Sequence, residues 1–184
     1  MDKINKLSAV TVALHWMVAI AMIGMLGVGL YMVNAEAWFL YPWHKSIGVL
    51  IFVIVLARVA WRVRQGWPPA LGRSSRFEQL AAKAVHWTLI VCTVAMPVTG
   101  MIYSGASGHG FGTLGVTVVP AQHNPLQSAD VIPYSAAWSD LGQGFHNALG
   151  YLLLAAIVLH VAGALKHHVV AKDGTLRRML GRTT

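Results

Sequence analysis

Four long apolar runs are separated by polar or mixed connections along this chain. Residues 8–33 hold no Asp, Glu, Lys or Arg, and neither do residues 84–104. The runs at about 44–63 and 144–168 carry a few basic residues and otherwise match them. A bilayer-spanning helix needs about 20 predominantly apolar residues, so each run predicts one span. Residues 34–43 form a short connection with Trp38, Tyr41 and Trp43, an interfacial aromatic cluster. The 65–83 connection is polar and basic and holds Pro68, Pro69, Gly72 and Ser74. Pro97 is expected to kink the third span. Residues 105–143 form a long loop in which Val116 to Val119 reads as a short strand or a surface-lying segment. Val169 to Thr184 reads as a basic tail. The predicted fold is all-α, a four-helix transmembrane bundle forming a single domain over 1–184.

Composition supports this class. The chain is 56% hydrophobic and 11% charged, whereas soluble domains carry about 25% charged residues. The basic start is followed by a full-length span without a clear small-residue cleavage site, so it reads as an uncleaved first helix. Cys92 is the single cysteine. Intrachain disulfides and cysteine metal clusters are thereby excluded, and Cys92 reads as a buried apolar residue.

The formal charge of +8 is a matter of topology. Thirteen of the 14 Lys and Arg residues fall on the side of the two termini and the 65–83 connection, and Lys45 alone falls on the other. The positive-inside rule then places both termini in the cytoplasm. The two remaining connections then face the periplasm or its equivalent, in a multi-pass chain whose partner is the bilayer, and nucleic acid is not needed to explain the charge.

Ionisable residues within membrane helices are costly and mark sites. His146 and His160 are fourteen residues apart on the fourth span. At about 100° and 1.5 Å per residue they lie within about 40° of one face and about 21 Å apart. His15 matches His160 in depth near the cytoplasmic edge, and His44 matches His146 near the opposite edge. Each pair is suited to give one haem iron its two axial imidazoles. Zinc requires about four close ligands, and the second pair is missing at each level. Arg58 follows His44 by fourteen residues, which puts it on nearly the same face at the cytoplasmic level. A buried guanidinium needs an anion, and a haem propionate fits; snorkelling to the headgroups is the alternative. Arg62 and Arg64 read as snorkelling residues. Gly48 and Gly150 each lie four residues beyond a proposed ligand, allowing either a macrocycle edge or close helix packing. His86 is a further cytoplasmic-level histidine: a substitute for His15, a propionate or quinone contact, or a structural group. His167 continues the His160 stripe and is a quinone candidate or a solvated interfacial residue. His109 and His123 read as solvated loop residues.

These residues carry a resemblance over essentially the whole chain. LHW at 14–16, WHKSIGVLIFVIVLARVAWR at 43–62, the His86 segment, FHNALGY at 145–151 and LHVAGALKHHVVAKDGTLRRML at 159–180 resemble the bacterial dihaem cytochrome b561 family. The resemblance implies two haem b groups, one on His15 and His160, the other on His44 and His146. It implies an oxidoreductase carrying electrons from a periplasmic donor, superoxide or a redox protein, to ubiquinone. FGTLGVTVVP at 111–120 is similar to the corresponding loop of superoxide-oxidase-like members. The periplasmic side offers Lys45 against Glu36, Asp130 and Asp140, without a basic funnel for an anion. Two other readings stand beside this one. The chain could be a haem-bearing anchor subunit for a periplasmic dehydrogenase or hydrogenase, or a non-redox transporter with a histidine pathway.

Overall fold

The computed structural model describes residues 6–68, 71, 75–127 and 130–183. Pro69, Gly72 and Ser74, named above, lie outside the described residues, as do Lys3 and Arg73 among the basic residues counted on the side of the termini. Helices α1 (Ala9–Asn34), α2 (Tyr41–Gln65), α3 (Arg76–Ala106) and α4 (Ala136–Val169) are each long and apolar enough to cross a membrane. The fold is a four-helix transmembrane bundle. A 3-10 turn at Trp38–Leu40 leads into α2. Strands β1 (Phe111–Thr113) and β2 (Val116–Val119) form an antiparallel hairpin between α3 and α4. A short α5 (Thr175–Met179) follows α4.

The helices begin where side chains satisfy free backbone donors. Ser8 Oγ accepts from Thr11 N at 3.2 Å. Ser75 and Glu78 form a reciprocal capping box at the start of α3. Ser135 Oγ accepts from Trp138 N at the start of α4. The last two caps correct the predicted limits. Helix α3 starts eight residues before 84, and α4 eight before 144, because the capped helices continue beyond their apolar windows. The final eight residues of the expected 105–143 loop are therefore helix, and Val116–Val119 is a strand. The expected basic tail contains α5. Pro97 lies inside α3, whose helical assignment continues through it.

A small core of Val18, Met22, Leu26, Ile51, Val55, Cys92 and Leu153 joins all four helices. Leu153 is fully buried and Cys92 nearly so. In sequence these residues fall between the two histidine levels: Leu153 midway between His146 and His160, Ile51 and Val55 between His44 and Arg58. An apolar plug thus separates two polar levels. Trp38 and Trp43 are exposed, as an aromatic belt requires. At the termini end, Trp16 Nε1 donates to Met179 O at 2.9 Å. The end of the chain is thereby tied to the start of α1, on the same side of the bundle.

Helices α3 and α4 make the most extensive contact, and Gly142 is its closest point. A Cβ there would lie 2.7 Å from Tyr103 N and 2.9 Å from Tyr103 Cα, a backbone approach that only glycine allows. Gly142→Ala should therefore lower stability by about 1–3 kcal/mol, the usual cost of overpacking. Thermal unfolding in detergent measures it, and an unchanged midpoint would count against this contact.

Candidate functional site

The bundle brings the four central histidines together in two pairs. His15 on α1 faces His160 on α4, with ring centroids 6.2 Å apart. His44 on α2 faces His146 on α4, with centroids 6.3 Å apart. All four rings are half-buried. Among the described residues, no group of three or more His, Cys, Asp or Glu converges as a metal cluster would. The hairpin-end level offers two imidazoles, and the termini-end level offers the His15/His160 pair with His86 beside it.

The surroundings differ. His146 Nδ1 donates to Met96 O at 3.0 Å, with Thr99 Oγ1 at 3.3 Å. A proton on Nδ1 leaves the Nε2 lone pair free, the tautomer a metal ligand needs. The same ring sits against Gly100, where a Cβ would lie 3.1 Å from Cε1. His44 Nδ1 is buried without a hydrogen-bond partner, and a Cβ on Gly29 would lie 3.5 Å from its ring. Gly48 and Gly150, flagged from spacing, instead face methionine methyl groups, Met25 and Met96, at 3.8 Å.

At the other level, Arg58 Nη2 lies 3.1 Å from His15 Nδ1. Guanidinium can only donate, so Nδ1 accepts and the Nε2 of a neutral His15 carries the proton. His86 stacks edge-on to His160 at 5.1 Å and donates from Nδ1 to Ala82 O at 2.7 Å. It is exposed. Arg62 donates to Gly66 O at 2.8 Å at the end of α2.

His167 belongs to neither pair. Its Nδ1 lies 2.6 Å from Asp173 Oδ2, and Asp173 Oδ1 accepts from Thr175 N at 2.9 Å. The Asp173 side chain is 11% exposed. Its burial favours the neutral acid, but hydrogen bonds from Thr175 and the pairing with His167 outweigh that and hold the carboxyl below its ordinary range. Lys166 pairs with Glu78, joining α4 to α3. In the connecting segment, His109 is exposed, with Ser107 Oγ 3.1 Å from its Nδ1. Partial burial and the nearby Lys45 ammonium lower its pKa.

The family model for prokaryotic cytochrome b561 matches residues 6–182. The chain belongs to this family. It is 33% identical to "Cytochrome b561 homolog 2" of Escherichia coli K12, over 98% of this chain and 94% of that protein. It is 27% identical to "Cytochrome b561 homolog 1" of the same organism, over 97% and 98%. It is 25% identical to "Probable superoxide oxidase CybB" of Yersinia pestis, over 96% of each. The protein is therefore a multi-pass bacterial membrane cytochrome of the b type, and the transporter alternative falls away.

The paired histidines fit the haem that the family implies. Metal–imidazole bonds are about 2.0–2.1 Å long. A five-membered ring places its centroid about 1.1–1.2 Å behind the bonding nitrogen. One iron between two imidazoles would therefore set the centroids about 6.2–6.6 Å apart, and both pairs fall at the short end of that range. His86 and His160, at 5.1 Å, are too close to share a metal in this way.

Sequence reasoning missed Gly29, Gly100, Thr99 and Asp173. Gly100 lies fourteen residues after His86 on α3, a spacing that was available. The Met96 carbonyl carries no sequence signal, and Asp173 was absorbed into the expected tail.

Asp173→Ala should free α5. Its depressed carboxyl pKa contributes stability that is present above the unfolded value of about 4 and is lost as pH falls through the folded value. Amide protection factors over 175–180, corrected for the intrinsic pH dependence of exchange, should fall in the variant at neutral pH and in the unchanged protein on acidification. Equal protection in both would contradict this.

Proposed function

We propose that this chain is a dihaem electron carrier that oxidises a periplasmic donor and reduces a quinone. His44 and His146 would hold the haem iron at the hairpin end, and His15 and His160 the one at the termini end. The observation that carries this reading is the pair of imidazole pairs at metal-spanning distance, 6.2 and 6.3 Å, on histidines fourteen residues apart along α4. The basic excess at the termini end supports a cytoplasmic location for both termini.

Haem b supplies reversible one-electron transfer, and the protein supplies ligation, orientation and electrostatics. His146 is held ready for ligation by Met96 O. His15 is not, because Arg58 occupies its Nδ1. Loading this level requires His15 to carry its proton on Nδ1, which repels the guanidinium donor. Arg58 then turns to an acceptor, and a haem propionate is the anion the site would bring. His86 and His167 remain for the quinone end, where an imidazole can hydrogen-bond a carbonyl and pass a proton.

Superoxide is the donor in this reading, supported by the name of the Yersinia relative. Two superoxide anions lose one electron each to give two molecules of oxygen. Ubiquinone gains two electrons and two cytoplasmic protons to give ubiquinol. A second reading, electron delivery from a periplasmic redox protein, is favoured by one feature. The Lys45 ammonium is engaged by Gly110 O at 2.8 Å and His109 O at 3.4 Å, with Glu36, Asp130 and Asp140 as the acids of the same side.

Stopped-flow mixing of the purified protein and ubiquinone with superoxide separates the two. Ubiquinol formation by the protein alone supports superoxide as donor, and its absence while reduced haem is still oxidised by quinone supports a protein donor. His146→Ala should retain one haem and lose the other; retention of both would refute the pairing. Arg58→Gln removes a cation beside one iron, so the potential of that haem should fall by on the order of 50 mV. Redox titration monitored optically measures this, and unchanged potentials would place Arg58 away from the haem.

A further inference from the structure

The β1–β2 hairpin is built against the expected pattern for a solvent-exposed loop. From 105 to 129 there is no Asp, Glu, Lys or Arg. Leu114, Val116 and Val118 are 81%, 65% and 54% exposed. The hairpin turn has Leu114 at φ 50° and Gly115 at φ 79°. Two positive φ values define the turn type that favours Asn or Gly at its first position, so a leucine is held in strain at the tip. Strained residues of this kind cluster where function requires them.

The hairpin also points toward the bilayer. Its base is at the end of α3, where Ser104 Oγ donates to Gly110 O at 2.7 Å and Phe111 lies against Gly105. Its tip is beside the second turn of α2, where Thr113 Oγ1 donates to Ser46 O at 3.1 Å. Gly105 is five residues beyond Gly100, which touches the His146 ring, hence about 7 Å outward of that level. Ser46 is two residues inward of His44, about 3 Å deeper. The hairpin therefore slants inward to about 4–5 Å below the exposed Trp43, whose aromatic belt marks the headgroup region. Behind it lies an apolar pocket of about 560 Å³, walled by Met101, Ile102, Phe111, Val118, Tyr134 and Trp138. Met101 and Ile102 belong to a membrane-spanning helix, and Ile102 is itself partly exposed, so the pocket is continuous with the lipid-facing surface.

We propose that the hairpin seats its tip in the periplasmic leaflet and that an acyl chain of a leaflet phospholipid fills the pocket behind it. The interfacial depth suits a two-stranded ribbon, whose outer backbone groups must still reach water or headgroups. The apolar side chains gain burial without a spanning segment, as in other interfacial anchors. Seated in this way, the hairpin walls off one flank of the His44/His146 level and confines donor approach to the remaining flanks. The anchor stands apart from the identity of the donor.

Single cysteines placed at Leu114, Val118 and Gln127 on a Cys92→Ala background, labelled with bimane, test this. The haem-loaded protein is reconstituted into phosphatidylcholine vesicles carrying spin-labelled lipid. Labels at 114 and 118 should be quenched by the lipid spin label and roughly tenfold less by aqueous iodide than the label at exposed Gln127. Iodide quenching at 114 equal to that at 127 would overturn the anchor. Lipid quenching at 114 without quenching at 118 by a spin label deep on the acyl chain would overturn the pocket occupant. Haem absorbance of each labelled variant verifies that the fold is intact.

Discussion

Four imidazoles inside a bilayer-spanning bundle must be satisfied, and that requirement shapes everything around them. A buried polar group without a partner is costly in hydrocarbon. Here α4 carries one histidine of each pair, and α1 and α2 carry the other two. Apolar packing between the two levels joins all four helices, and the paired rings face each other above and below it. The protein core itself is thin: seven residues, set between the two polar levels. Leu153, Val18, Val55 and Cys92 are buried and apolar between the two levels. The large exposed apolar surface of each helix is then ordinary, because lipid covers it.

The two levels are not equivalent. At the hairpin end His146 is already in the tautomer that ligation uses, held by a backbone carbonyl of α3, and His44 has a buried nitrogen awaiting a partner. At the termini end Arg58 is hydrogen-bonded to His15 itself. The difference is in hydrogen bonding: His146 Nδ1 donates to a backbone carbonyl, whereas His15 Nδ1 accepts from Arg58, so on the proposed function only the termini-end level would have to exchange one hydrogen bond for another.

Much of this was legible in the sequence, for a physical reason. Spans are read from length and apolarity, because the bilayer imposes both, and charged exceptions stand out against that background. Fourteen-residue spacing returns a helix to the same face, so His146 and His160, and likewise His44 and Arg58, announced themselves. What failed was local. The helical extensions of α3 and α4 depend on Ser75, Glu78 and Ser135 caps beyond the apolar windows. The contacts of Gly29 and Gly100 with histidine rings, and the Met96 carbonyl under His146, are products of tertiary packing with no one-dimensional signal. Gly48 and Gly150 were chosen on the right face and proved to meet methionine methyls. Asp173 looked like part of a solvated tail because a single carboxylate among basic residues gives no hint that it folds back onto His167.

The central claim is that two histidine pairs hold two irons. Pyridine haemochrome quantification of the purified protein, with near-infrared magnetic circular dichroism of the oxidised form, tests it directly. The account predicts two haem b per chain and the bis-imidazole charge-transfer signature from both. One haem per chain, or a signature of any other axial pair, would contradict it.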